Sequence, residues 1–280
     1  MNISINDVLF FDTETTGIPD KNAKWDVDYM GFPHVVQLAW IHGCREESHI
    51  IRPDGWEIPQ ETVEVHGITT EYALEHGEPF AAVVDMFIQD CHDAGLICGH
   101  NIYFDTSVLK ANILRELGRE YYDANDVEQA LHKSKRIDTM RLSSKWVDAR
   151  TASGFKKFPK LCELYSRCFP GETFAAHDAL EDTKAVARCL PILIERGLVE
   201  LKLKEYDNLQ VENEQPIAAT IASESAKKFV TGPEKAGNGQ NTNAKSQNDI
   251  LTIQQTKTPQ IEDFVKITDV AAALLEQNDF

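Results

Sequence analysis

Apolar residues are regularly spaced from the N-terminus to about Leu201 and lose that spacing afterwards. The run at 7–13 (DVLFFDT) reads as a buried strand. VVQLAWIHG at 35–43 and SHIIRP at 48–53 read as a second and third strand, joined by a turn around 43–46. PFAAVVDMFIQDC at 79–91 has helical periodicity, and GLICGHN at 95–101 is a short apolar strand bounded by glycines. FDTSVLKANILREL at 104–117 predicts an amphipathic helix with Val108, Leu109, Ile113, Leu114 and Leu117 on one side. RIDT at 136–139 is a strand ending followed by a helix through Trp146. Further helices are predicted from Pro159 and over 178–196, with Pro191 kinking the last or marking its late part. Strands followed by alternating helices and strands indicate an α/β domain with a mixed sheet over 1–201. Residues 202–258 are polar and rich in Gly and Asn, which predicts a disordered linker. Residues 259–280 regain helical spacing in a segment too short for its own core, suited to docking on a partner or back onto the domain.

Charge complicates any reading that involves phosphate. The formal net charge is -17, which repels polyanions at long range. Its distribution is uneven, because Lys133, Lys135, Arg136, Arg141, Lys145, Arg150, Lys156, Lys157 and Lys160 cluster against only Asp138 and Asp148. No apolar run is long enough to span a bilayer, and the N-terminus lacks a basic start and a cleavage site, so a cytoplasmic protein without membrane attachment is expected. The six cysteines form no Cys-x-x-Cys pair and lie in apolar contexts, which predicts buried free thiols.

Three separated motifs carry the chemistry: Asp12 and Glu14 in FFDTETTG, Asp105 in HNIYFD, and His177 with Asp182 in HDALED. Residues i and i+2 of a strand share a face, so Asp12 and Glu14 repel each other unless a cation lies between them. Thr15, Thr16 and Gly17 then form a turn that admits a substrate close to the backbone. Asp105 opens a helix, where Asn101 can cap or brace the turn, and Asp182 lies on the last helix of the domain. Each acid alone reads as an ordinary strand end, helix start or helix surface. Together they suit hard-cation chemistry, with Asp12, Glu14, Asp105 and Asp182 as ligands of two Mg²⁺ or Mn²⁺ ions. Two such ions roughly 3.5–4 Å apart clamp the attacking and leaving oxygens of a phosphoryl displacement. Imidazoles titrate near neutral pH, so His177 is the expected general base.

The motifs resemble the DEDD exonucleases in their histidine-bearing branch, DEDDh, in which a His stands five residues before the last Asp, as His177 and Asp182 do. The tyrosine branch has Tyr four before that Asp, where this chain has Asp178. Within the branch, HVVQLAW and IPQETVEVHGIT are similar to the epsilon proofreading subunit of bacterial DNA polymerase III and its relatives. The resemblance implies an RNase H-like fold, a five-stranded mixed sheet flanked by helices. It further implies removal of 5′-mononucleotides from DNA 3′ ends in proofreading or repair, with single-stranded or frayed ends preferred. Glu61 and His66 would line the nucleotide pocket beside Thr15. Basic surfaces beside the site are also shared with RNA-trimming relatives, which makes an exoribonuclease the alternative. A non-catalytic binding or scaffold module would be expected to have lost a ligand, and none is lost here. A replication or repair protein is the partner expected for the C-terminal segment.

Overall fold

The computed structural model describes residues 2–199 and 202–203. The linker beyond 203 and the segment 259–280 lie outside them. The strands are β1 (Asn2–Ile3), β2 (Val8–Thr15), β3 (Val35–His42), β4 (Arg45–Ile50), β5 (Leu96–Gly99), β6 (Arg136–Asp138) and β7 (Lys202–Leu203). The helices are α1 (Gln60–His66), α2 (Thr70–His76), α3 (Phe80–Asp93), α4 (Ile102–Glu116), α5 (Gly118–Ala124), α6 (Val127–Ala130), α7 (Thr139–Val147), α8 (Leu161–Cys168) and α9 (Ala179–Glu195). Five strands form one mixed sheet in the order β4-β3-β2-β5-β6. The β4–β3–β2 pairs are antiparallel, whereas β5 and β6 run parallel to β2. This is the five-stranded, helix-flanked RNase H-like architecture. β7 pairs in parallel with β1 at the point where the sequence pattern fades.

Side-chain alternation on β2 divides the core. Leu9 and Phe11 pack with α3 and α4 residues such as Phe87, Val108 and Leu109, while Val8 and Phe10 pack with α8 and α9 residues such as Leu164, Val186 and Leu190. Carrying that alternation forward puts Asp12 and Glu14 on the α9 face. They are the only β2 positions that are not buried.

Several expectations are corrected. β4 starts at Arg45 rather than 48, leaving only Gly43 and Cys44 as the turn. Arg45, Glu46 and Glu47 belong to an edge strand, where pairing to β3 sets the extent of the strand and apolar pattern does not. α4 is not amphipathic, because every residue from Asp105 to Leu114 is buried. Its polar side chains are used internally: Asn112 donates to the Pro33 carbonyl at 2.8 Å and accepts from the Val35 amide at 3.3 Å. Lys110 pairs with Glu128 at 2.7 Å and lies over the Trp25 ring. Asn101 makes no side-chain cap; it turns the chain through a left-handed backbone (φ 70°) instead. Pro191 falls in the late part of α9, as expected, and the helix continues to Glu195. Cys91, Cys98 and Cys189 are buried free thiols as expected, but Cys44 in the tight turn and Cys162 at the start of α8 are exposed. Among the described residues no helix is long and apolar enough to cross a membrane.

Candidate active site

The three motifs meet at the C-terminal ends of the parallel strands, where open α/β sheets place their ligand sites. β2 carries Asp12 and Glu14 and shifts register with β3 between Glu14 and Thr15, although Thr15 still pairs with Val35. Thr15 Oγ1 donates to the Gly17 carbonyl at 2.7 Å, so its hydroxyl shapes the turn that follows. β5 ends at Gly99, where a Cβ would meet the Phe11 carbonyl and Ile102 at 3.2 Å; the missing side chain lets α4 begin against the sheet. Asp105, in the first turn of α4, is buried and accepts a hydrogen bond from Thr13 Oγ1 at 2.7 Å. Thr13 lies on the α4 face of β2, so Asp105 reaches the strand end from the side opposite α9.

Asp182 completes the cluster from the first turn of α9. One of its oxygens accepts from the His177 amide at 3.3 Å, and the other is buried without a partner. His177 is exposed and has left-handed backbone (φ 71°), a strained state for a non-glycine residue. One ligand atom each from Glu14, His177 and Asp182 lie within 4.8 Å of one another.

The electrostatics follow from this crowding. Asp12 is held well above the usual carboxylate range, first by burial and then by Asp105, Asp182, Glu14 and Asp178. Glu14 is raised to about 8 by burial and then by Asp182, Asp105 and Asp178. Asp105 is raised to about 7 by burial, opposed by the Thr13 hydrogen bond, and Asp182 to about 6, again chiefly by burial. A set of carboxylates that cannot all ionise, with an orphaned oxygen on Asp182, fits divalent cations. The oxygen-rich donor set suits Mg²⁺ or Mn²⁺ better than zinc.

The two pocket residues expected from the sequence both lie on α1, Glu61 in its first turn and His66 at its end. His66 ends α1 near His177, and burial followed by His177 lowers its pKa. Its Nδ1 accepts from the Ile68 amide at 3.1 Å, which leaves Nε2 as the protonated nitrogen of the neutral ring, and that atom is buried without a partner. Glu61, five residues earlier, is about 140° around the helix from His66 and exposed.

Besides Thr13, sequence reasoning missed two residues around His177. Gln37, buried on β3 opposite Glu14, donates to Asp178 at 3.2 Å and accepts from the Ala179 amide at 3.2 Å. Asp178 also caps α9 through the Leu180 and Glu181 amides. Together they clamp the turn that carries His177. The available signal was a lone amide in the apolar run VVQLAW.

A family model described as Exonuclease (RNase T) matches residues 9–190. Similar solved structures include Escherichia coli exonuclease I in complex with a dA16 oligonucleotide, at 22 % identity and TM-score 0.51, covering 68 % of this chain and 40 % of that one. Exonuclease I from Methylocaldum szegediense matches at 19 % identity and TM-score 0.50, with the same coverage. This chain therefore spans well under half the length of those structures, and at such identities the likeness is one of fold. No curated protein matches the chain. Because the matched span takes in all three acidic motifs, with His177 at the position that marks the DEDDh branch, the chain belongs to the exonuclease family.

Proposed function

We propose that this chain is a divalent-cation-dependent 3′-5′ exonuclease that releases 5′-mononucleotides from single-stranded or frayed DNA ends, in proofreading or repair. The observation that carries the reading is the convergence of Asp12, Glu14, Asp105 and Asp182, with His177 at the rim. The DNA-bound state of the similarly folded E. coli exonuclease I supports the substrate class. Two Mg²⁺ or Mn²⁺ ions held by the four carboxylates would neutralise charge on the attacking and leaving oxygens and make the attacking water more acidic. His177 takes the proton from that water as its oxygen bonds to phosphorus. The bond from phosphorus to the 3′ oxygen breaks, and the departing oxygen takes a proton from solvent, leaving a new 3′-hydroxyl and a 5′-monophosphate. Gln37 and Asp178 hold the His177 turn, and the His66 Nε2–H is a donor available to the terminal nucleotide. Thr15 and Gly17 supply the backbone turn beside it, and Glu61 on α1 is the second side chain offered to that nucleotide. Association of an epsilon-like protein with a replication or repair partner would rest on residues beyond the described ones.

The test offers the full-length protein matched DNA and RNA, single-stranded and 3′-mispaired, with Mg²⁺ or EDTA. Single-nucleotide shortening of DNA that stops in EDTA and in Asp12→Ala is the expected result. Degradation that persists in either condition overturns the cation mechanism, and faster loss of RNA replaces the substrate assignment with the exoribonuclease.

A further inference from the structure

Residues 149–159, between α7 and α8, form a hairpin whose surface the reaction centre does not use. Arg150 and Lys156 pair as an antiparallel bridge, the Lys157 amide donates to the Ala149 carbonyl at 3.0 Å, and the Thr151 amide donates to the Phe155 carbonyl at 2.8 Å. Both ends are anchored. Ala149 is buried, and the Pro159 carbonyl accepts from His100 Nε2 at 2.9 Å. His100 stands immediately before the turn into α4, whose Asn101 amide donates to Asp138 Oδ1 at 3.1 Å. The hairpin is thus tied to the same strand ends that present Asp105.

What the hairpin exposes is unusual for this chain. Phe155 is 74 % and Phe158 51 % accessible, and among the described residues they are the only exposed phenylalanines. Arg141, on α7, lies over Phe158 at 5.6 Å. In sequence, they fall within residues 133–160, which carry nine Lys and Arg against two Asp, a segment balance of +7 in a chain of net charge -17. The run is not uniformly available. Lys135 and Arg136 turn inward to the Cys91 and Leu131 carbonyls, and Lys157 pairs with Glu163. Lys145 is exposed, and Arg141 and Lys156 keep their side chains 62 % and 77 % accessible despite contacts with Asp138 and Asp148. Exposed aromatic faces interleaved with cations are the surface that single-stranded nucleic acid occupies, because bases stack on the rings while phosphates meet the charges.

We propose that this hairpin is a second binding site for single-stranded DNA, gripping the strand 5′ of the terminus that enters the acidic cluster. Phe155 and Phe158 stack bases, and Arg141, Lys145 and Lys156 hold phosphates. The identity of the strand as substrate rests on the proposed function, but the binding site does not require turnover. The test is fluorescence anisotropy of a labelled oligothymidylate of about twenty nucleotides with the full-length protein in EDTA, where no hydrolysis is expected. Phe155→Ala/Phe158→Ala should weaken binding roughly ten-fold or more, and Lys156→Ala should lower the slope of log affinity against log salt by up to about 0.7. In Mg²⁺, the double phenylalanine variant should lose at least roughly ten-fold more kcat/KM on that oligonucleotide than on the small ester thymidine 5′-p-nitrophenyl phosphate, which is too short to span both places. Unchanged affinity for oligothymidylate overturns the proposal and leaves the hairpin to a protein partner. Equal losses on the long and short substrates also overturn it, since they mark a hairpin that only supports the reaction centre. If wild-type protein binds the oligonucleotide through the hairpin but hydrolyses neither substrate, the exonuclease reading fails and the binding site stands.

Discussion

Replacing Glu14 by Gln should stabilise the cation-free protein while abolishing most of the stabilisation that cations confer. Burial and the neighbouring acids raise Glu14 from 4.5 to about 8. A carboxyl whose folded pKa is raised favours the folded state at pH values below its unfolded pKa, and that contribution is lost as pH rises through the folded value. Without cations, stability should therefore fall between about pH 5 and pH 8.5 as the crowded carboxylates are forced to ionise. The displacement sets a ceiling of about 5 kcal/mol for Glu14. The carboxyl is only partly buried, and solvent screening brings the expected effect to roughly 2 kcal/mol, or roughly 4–8 °C in Tm for a domain of this size. The assay is thermal unfolding in EDTA across that pH range, repeated with Mg²⁺. Wild type should lose Tm with rising pH and recover it with Mg²⁺, whereas Glu14→Gln should be flatter, more stable at the alkaline end in EDTA, and nearly indifferent to Mg²⁺. A variant with the wild-type pH slope, or one less stable than wild type at alkaline pH in EDTA, would refute the argument that like-charge crowding dominates this site.

Three other outcomes are expected. His177→Ala should lower kcat by roughly a hundred-fold or more while leaving Mn²⁺ affinity measured by calorimetry largely intact, and a collapse of that affinity would assign His177 to cation binding instead. Gln37→Leu should lower kcat with little change in KM, because it frees the turn carrying His177. In a His177→Ala background the same change should cost almost nothing further, and additive losses would show that Gln37 acts elsewhere. Thr13→Val removes the hydroxyl that holds Asp105 and should raise the Mg²⁺ concentration needed for half-maximal activity by several-fold, with turnover in saturating Mg²⁺ nearly restored.

Much of this molecule was legible along the chain because the information is local. The apolar run before Asp12 marks the central strand, period-two alternation puts Asp12 and Glu14 on one face, and the five-residue interval from His177 to Asp182 sets a turn against the start of a helix. α4 misled the pattern because burial on all sides erases the polar face that periodicity detects, and β4 because an edge strand takes its extent from its neighbour. In the site, the identities of the four acids were readable, since ionisable groups beside apolar runs are conspicuous. Their mutual arrangement was not. Thr13 meets Asp105 across 92 residues, and Gln37 meets Asp178 across 141. Likewise, the basic stretch at 133–160 was visible as composition, but only the fold shows which cations turn inward and that Phe155 and Phe158 face solvent. The sequence by itself determined which side chains are present and how each sits in its own strand or helix, because propensity and periodicity act over a few residues. Tertiary structure alone decided which of them share one desolvated pocket, because that depends on sheet order and on the opposite faces from which α4 and α9 pack, and the energy of crowding charges exists only once they are brought together.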